Sequence, residues 1–184
     1  MKECEIPFIG GDALPASTSP QELGSFIKEE DKIPLLLAIS LYETPRTDFT
    51  DFIYQEQYRN PRFGVWVNEA LSMTVVGLRG TSPTASKGSM DLQDDRIIAD
   101  AGSPYCDISI VQQVRRIIEE FKSDFIVFVG HSLGGTAAFC LTNQYPNSRG
   151  IAFNPGAAPT NPVLSGPGQR MTVYHIVGKN FFFI

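Results

Sequence analysis

The sequence predicts an α/β fold with a mostly parallel sheet from residue 61 onward, and three observations carry that expectation. Phe125-Ile126-Val127-Phe128-Val129 is an uninterrupted apolar run, as expected of a strand covered on both faces. Before it, Ile110, Val111, Val114, Ile117, Ile118 and Phe121 recur at helical spacing, which predicts an amphipathic helix over Ser109 to Lys122. After it, a helix is expected from Leu133 to Tyr145, where Pro146 stops it, and then strands at Ile151 to Phe153 and Met171 to Val177. Helix, strand, helix, strand, strand is the order of a parallel α/β sheet.

The elements before these are less regular. Residues 1 to 20 are rich in Pro and Gly and read as an irregular arm. Ser19-Pro20-Gln21-Glu22 has the form of a helix start, with Pro at the first helical position and an acid in the first turn. Pro34 to Tyr42 predicts a mostly buried helix, and Phe49 to Tyr58 a weaker one that Asn60-Pro61 terminates. Phe63-Gly64-Val65-Trp66-Val67-Asn68 and Met73-Thr74-Val75-Val76-Gly77-Leu78 then read as a strand pair joined by a short connection. Pro83 to Gly88 is a loop of small residues, followed by the acidic Asp91-Leu92-Gln93-Asp94-Asp95. The expected organisation is an N-terminal arm with helices over residues 1–60, packed on a core over residues 61–184.

Composition narrows the function classes. With 42% apolar and 19% charged residues the chain suits a folded globule. Fifteen Lys and Arg against twenty Asp and Glu give a net charge of −5, which disfavours holding a nucleic-acid backbone. Cys4, Cys106 and Cys140 are an odd count without ligand-like spacing, so neither a disulfide framework nor a zinc site is expected, and no metal or cofactor is implied. The start, Met1-Lys2-Glu3-Cys4-Glu5-Ile6-Pro7, has no apolar signal core, and the longest apolar run, Ile33 to Ile39, is too short for a membrane span. The expectation is a cytoplasmic or otherwise intracellular protein in a reducing compartment. The oligomeric state is left open.

The sharpest motif is Gly130-His131-Ser132-Leu133-Gly134-Gly135, between the buried strand and its following helix. A serine hydroxyl is a weak nucleophile and must be exposed, oriented and placed beside a base. A tight strand-to-helix turn exposes and orients it, and the crowding of that turn requires Gly two residues before and two after. The helix start aims unpaired N–H groups at developing negative charge, so the Leu133 N–H is a candidate oxyanion donor for Ser132. His131 sits on the strained turn itself and is expected to point into the structure, in a packing and hydrogen-bonding role. The strand ending Leu78-Arg79-Gly80-Thr81 brings a second candidate to the mouth of the sheet. There Thr81 can offer both its N–H and its hydroxyl to an oxyanion.

Taken in order, these segments resemble the class 3, or fungal-type, lipases. Phe63-Gly64-Val65-Trp66, Leu78-Arg79-Gly80-Thr81, the acidic stretch at Asp91-Leu92 and Val129 to Gly135 come in that family's order and rough spacing. Leu36 to Tyr42 is similar to its N-terminal helix. The resemblance covers about residues 33 to 178. It implies an α/β-hydrolase fold and hydrolysis of carboxylic esters of lipids or related acyl substrates, with transient contact to a lipid surface. It places Ser132 as the nucleophile and Thr81 and Leu133 at the oxyanion positions.

The family's triad continues with an Asp and then a His, and here the pattern breaks. After the strand at Met171 to Gly178 come Lys179 and Asn180, and no Asp or Glu follows Ser132 anywhere in the chain. Lys179 cannot orient an imidazole by accepting a hydrogen bond, and Asn180 carries no charge. His175, the only His after the nucleophile, lies inside the expected strand and fits a structural role better than that of the base. Three accounts stay open. The chain is C-terminally incomplete, as its apolar Phe181-Phe182-Phe183-Ile184 end suggests; or His175 serves as a rewired base oriented by Asp100 or Asp107; or the fold persists as an inactive binding or structural module. Asp91, Asp94, Asp95 and Asp100 are expected to form a solvated segment beside the site entrance. Charges spaced as Arg115, Arg116, Glu119 and Glu120 read as an exposed helix face, and Cys140 as buried packing.

Overall fold

The computed structural model describes residues 27–42, 48–82, 89–99, 105–156 and 170–174. The N-terminal arm, the helix start at Ser19, the Pro83–Gly88 loop, Cys4, Asp100, His175 and the chain end lie outside the described residues. Six strands lie side by side in sequence order: β1 (Ile53–Tyr54), β2 (Phe63–Asn68), β3 (Met73–Leu78), β4 (Phe125–His131), β5 (Ser148–Phe153) and β6 (Met171–Tyr174). The β1–β2 and β2–β3 pairings are antiparallel, and β3 through β6 are parallel. The expected α/β class is thus observed, with a hairpin edge on a parallel half.

Alternation along the central strands divides the core. Val75, Val127, Val129, Ile151 and Phe153 face α1 (Glu29–Ile39), whose Leu37 and Ala38 are buried against them. Val76, Leu78 and Phe128 face the other layer: α2 (Met90–Ala99), α3 (Ser109–Ile118) and α4 (Leu133–Gln144). Neighbours Val127 and Phe128 therefore enter different cores, which is why β4 reads as one continuous apolar run. Removing a ring such as that of Phe128, fully buried, typically costs about 3–5 kcal/mol.

Two helices differ from expectation. Helix α1 starts at Glu29 rather than Pro34, because Glu29, Glu30 and Asp31 complement the positive helix start. Pro34 lies in its second turn and forgoes the bond that its N–H would make to the Glu30 carbonyl. Asp31 is wholly buried and pins this helix to the far strands, pairing with Arg149 and accepting a 2.6 Å bond from the Tyr174 hydroxyl. The tail of the α3 prediction, Glu119 and beyond, leaves the helix as Glu120 and Phe121 bond to carbonyls three residues back.

The third predicted helix, Phe49 to Tyr58, is not one. Phe49 and Phe52 form a bridge, Ile53–Tyr54 is an edge strand, and Glu56–Tyr58 is a 3₁₀ turn. Pairing with β2 supplies what the local sequence lacks: Tyr54 lies opposite Trp66, their rings 5.3 Å apart, and the Gln55 N–H donates to the Val65 carbonyl.

Candidate active site

The site is built where β4 ends at His131 and α4 begins at Leu133, leaving Ser132 alone on the turn. Its backbone sits at φ 51° and ψ −121°, a combination unfavourable for any residue with a side chain. Main-chain bonds hold it there. The Ser132 N–H donates to the Phe153 carbonyl at 3.0 Å, and the Ser132 carbonyl accepts from Thr136 and Gly156, each at 3.1 Å. Gly130 and Gly134 are required by close approach rather than by their dihedrals. A Cβ on Gly130 would lie 2.4 Å from the Gly134 carbonyl, and one on Gly134 would lie 2.1 Å from the Leu78 oxygen. Ser132 occupies the N-cap position of α4, yet its side chain makes no capping bond, so the helix does not consume the hydroxyl. Leu133 is the first residue of that helix, and its N–H belongs to the turn without intrahelical acceptors.

His131 faces away from this chemistry, as expected. It lines a small gap with Leu35, Ala38, Ile39 and Tyr42 on the α1 side of the sheet. A Cβ on Gly80 would come 3.4 Å from its Nδ1. Burial holds the imidazole below its ordinary pKa, favouring the neutral ring.

The second half of the site is the loop Arg79-Gly80-Thr81-Ser82. Leu78 of β3 pairs with Gly130 of β4, so the chain beyond Leu78 emerges beside the elbow at the same end of the sheet. Four contacts hold the loop. Arg79 N–H donates to the Arg62 carbonyl at 2.8 Å, Gly80 N–H to the Tyr42 hydroxyl at 2.9 Å, and Ser82 N–H to Asp91 Oδ2 at 3.0 Å. The Thr81 hydroxyl donates to Asp95 Oδ2 at 2.7 Å. That last bond commits the hydroxyl hydrogen, so the group Thr81 can offer an oxyanion without breaking it is the main-chain N–H.

The acidic segment is therefore not the solvated stretch expected. It forms α2, with Asp91 5% and Asp94 1% exposed, and it faces Arg62, which is 5% exposed. Arg62 Nε meets Asp91 Oδ1 at 2.7 Å, its Nη2 meets Asp94 Oδ2 at 2.6 Å, and its Nη1 donates to Ser109 Oγ at 2.7 Å. Asp94 also accepts from the Ser109 and Ile110 N–H groups, at 2.7 and 3.2 Å, and so caps α3. Arg79 adds a second cation on Asp91 at 3.2 Å. Half-buried Asp95 has its pKa raised, chiefly by burial and further by the charges of Asp91 and Asp94, against the Thr81 bond and Arg62.

Ser132, Leu133 and Thr81 are thus brought to one end of the sheet. His175 and Asp100 lie outside the described residues, and Asp107 is exposed in a 3₁₀ turn before α3. No described imidazole or carboxylate is hydrogen-bonded to Ser132 Oγ. Sequence reasoning missed Asp91, Asp95, Arg62 and Tyr42 as supports of the loop, and it missed Gly156. A Cβ on Gly156 would stand 3.7 Å from both Ser132 Oγ and the Leu133 nitrogen, so this position borders the Ser132 hydroxyl and the first N–H of α4 together. Nothing in a Pro-Gly dipeptide signals that. Among the described residues no cluster of His, Cys, Asp or Glu could hold a metal ion, and no helix is long and apolar enough to cross a membrane.

The model of an uncharacterised protein family, UPF0227, matches residues 98–176, less than half of the chain, a span that contains the elbow. No curated protein matches the chain in sequence. Among solved structures it is similar to the Lip2 lipase from Yarrowia lipolytica, at 15% identity and a TM-score of 0.42, covering 81% of this chain and 71% of that one. The chain's own geometry, a mixed sheet with a strand–serine–helix elbow at the carboxyl end of its parallel strands, is of the α/β-hydrolase kind.

Proposed function

We propose that the chain is a serine carboxylic-ester hydrolase of the lipase type. The observation that carries this reading is the strained backbone of Ser132 at the start of α4, with its hydroxyl left out of the helix cap. Strain of this kind persists only where the surroundings over-determine it, and it gathers at functional sites. In the proposed reaction Ser132 Oγ attacks the ester carbonyl carbon, and the carbonyl oxygen takes up negative charge. The Leu133 and Thr81 N–H groups receive that charge, the latter held in place by the Thr81–Asp95 bond. The leaving alcohol departs, and water then releases the acyl group from Ser132. Ser132 gives its proton to a base, which passes it to the leaving alcohol; His175 is the alternative for that base within the chain. Asp95 acts through Thr81 and is a positioning residue, not a catalytic one. The substrate class is an ester or a lipid, and transient contact with a lipid surface belongs to the same reading.

A second reading, a binding or structural module on the same fold, rests on the absence of an imidazole on Ser132 Oγ among the described residues. Hydrolysis of a short-chain chromogenic ester by the chain and by its Ser132→Ala variant separates the two. The proposal expects the rate to fall to background in the variant. Equal rates would remove Ser132 from any chemistry and leave the module.

A further inference from the structure

Gly130, Gly134 and Gly156 all stand against the Ser132 turn, but not for the same reason. At Gly130 and Gly134 an added Cβ would lie 2.4 and 2.1 Å from main-chain atoms, so the backbone itself excludes a side chain. Nothing of the kind holds at Gly156. The nearest neighbours of a Cβ there are the Ser132 carbonyl carbon at 3.6 Å, and the Leu133 nitrogen and Ser132 Oγ at 3.7 Å, which is ordinary van der Waals contact. Gly156 is exposed, and its φ lies outside the left-handed region that favours glycine. Neither crowding nor dihedral demands glycine here. What its missing side chain does is leave open the space beside the Ser132 hydroxyl.

The segment that carries this position is held from three directions. The Ser132 N–H donates to the Phe153 carbonyl at 3.0 Å and the Gly156 N–H donates to the Ser132 carbonyl at 3.1 Å, so the exit of β5 is bonded to the serine at both ends. The Asn154 N–H donates to the Tyr174 carbonyl of β6 at 2.9 Å. Pro155 packs on the first turn of α4, where a Cβ on Gly135 would lie 3.2 Å from its Cα and its Cβ. A side chain introduced at 156 would therefore stay beside Ser132 Oγ rather than swing away with the loop.

We propose that Gly156 is a specificity-determining position, which admits acyl groups branched at the carbon next to the ester carbonyl. The proposal rests on the reading of Ser132 as the nucleophile and names the substrate feature that its surroundings select. The carbonyl oxygen is drawn to the Leu133 and Thr81 N–H groups, and Thr81 follows β3, on one side of β4. Gly156 follows β5, on the other side. Once Oγ has bonded to the carbonyl carbon, the next acyl carbon is two bonds from Oγ, and a branch on it reaches the space that a side chain at 156 would fill. The alcohol has left by the time water attacks the acyl-enzyme, so the acyl group alone meets this position in both steps.

The test measures kcat/KM of the full chain, Gly156→Ala and Gly156→Val on the p-nitrophenyl esters of butyrate, isobutyrate and pivalate, with Ser132→Ala as the blank. The wild-type chain should accept the isobutyrate. Gly156→Val should lower the isobutyrate-to-butyrate and pivalate-to-butyrate ratios by about tenfold or more, the effect expected when a methyl-sized space is removed beside a substrate. Gly156→Ala, which adds one methyl group in ordinary contact, should lower both ratios in the same direction by less. With the acyl group held as butyrate, replacing p-nitrophenol by 1-naphthol should leave the ranking of the three chains unchanged. Ser132-dependent turnover with unchanged acyl ratios in both variants, an equal loss on all three esters, a loss that follows the alcohol, or refusal of the isobutyrate by wild type would overturn this proposal and leave Ser132 as the nucleophile. Turnover that is the same in Ser132→Ala on every ester would overturn both.

Discussion

The elbow around Ser132 and the loop from Arg79 to Ser82 sit side by side but are held by different forces. The elbow is fixed by main chain against main chain: Gly130 against Gly134, Gly134 against Leu78, and Ser132 bonded to Phe153 and Gly156. The loop is fixed mostly by side chains from distant elements: Tyr42 after α1, and Asp91 and Asp95 on α2, with the Arg62 carbonyl before β2 accepting from Arg79 and the Arg62 guanidinium holding Asp91. The elbow should therefore tolerate no added atom. The loop should tolerate changes of shape but not the loss of a charge partner.

Gly134→Ala should have the largest effect. Its new Cβ would meet backbone, which cannot rotate aside, so a loss of about 4–5 kcal/mol or outright failure to fold is expected in thermal unfolding. A wild-type melting curve would mean that α4 can move off β3 and that the backbone account of the elbow is wrong. Arg62→Ala comes next, at about 3–5 kcal/mol, because it removes the closest cation from two buried carboxylates. In urea titrations, changing Asp91 and Asp94 to Asn in the same chain should recover part of that loss. If the triple variant unfolds no later than Arg62→Ala alone, unpaired charge is not the cause.

Ser132→Gly should shift stability the other way. Glycine relieves the strain at φ 51°, so the variant should gain about 1–3 kcal/mol while losing the proposed nucleophile. A less stable variant would show that the Ser132 backbone is not strained in solution.

Asp95→Asn should have the smallest effect on stability and the clearest one on rate. A carboxyl whose folded pKa is raised is destabilising when ionised, and that cost disappears as pH falls through the folded value toward the ordinary 3.8. The variant should thus match or exceed wild-type stability at neutral pH, and the difference should shrink on acidification. If the loop position depends on the Thr81–Asp95 bond, Asp95→Asn and Thr81→Val should slow ester hydrolysis alike, and the double variant little further. Additive losses would separate the two residues.

The same contrast explains what could be read from the chain. The elbow was legible because its causes are local: an apolar run, two glycines around a serine, and a helix of small residues lie within about 20 positions. The run of β4 and the spacing of α3 were legible for the same reason. The stretch Phe49 to Tyr58 reads as a helix from sequence because its pairing with Trp66 and Val65 is not local. Asp91 and Asp94 read as solvated from sequence because acids mean solvent unless a partner is known, and Arg62 lies some 30 positions away. The end of β3 puts Thr81 at the mouth of the sheet, but nothing local signals the Asp95 acceptor that claims its hydroxyl.

The most direct test of the central claim, that elbow and loop make one nucleophilic site, is labelling with a fluorophosphonate ester followed by peptide mapping. The account predicts a single phosphonylated residue, Ser132, no adduct in Ser132→Ala, and slower labelling in Asp95→Asn although that residue is not modified. No adduct on Ser132, or labelling of Ser132 unaffected by the loss of Asp95, would contradict it.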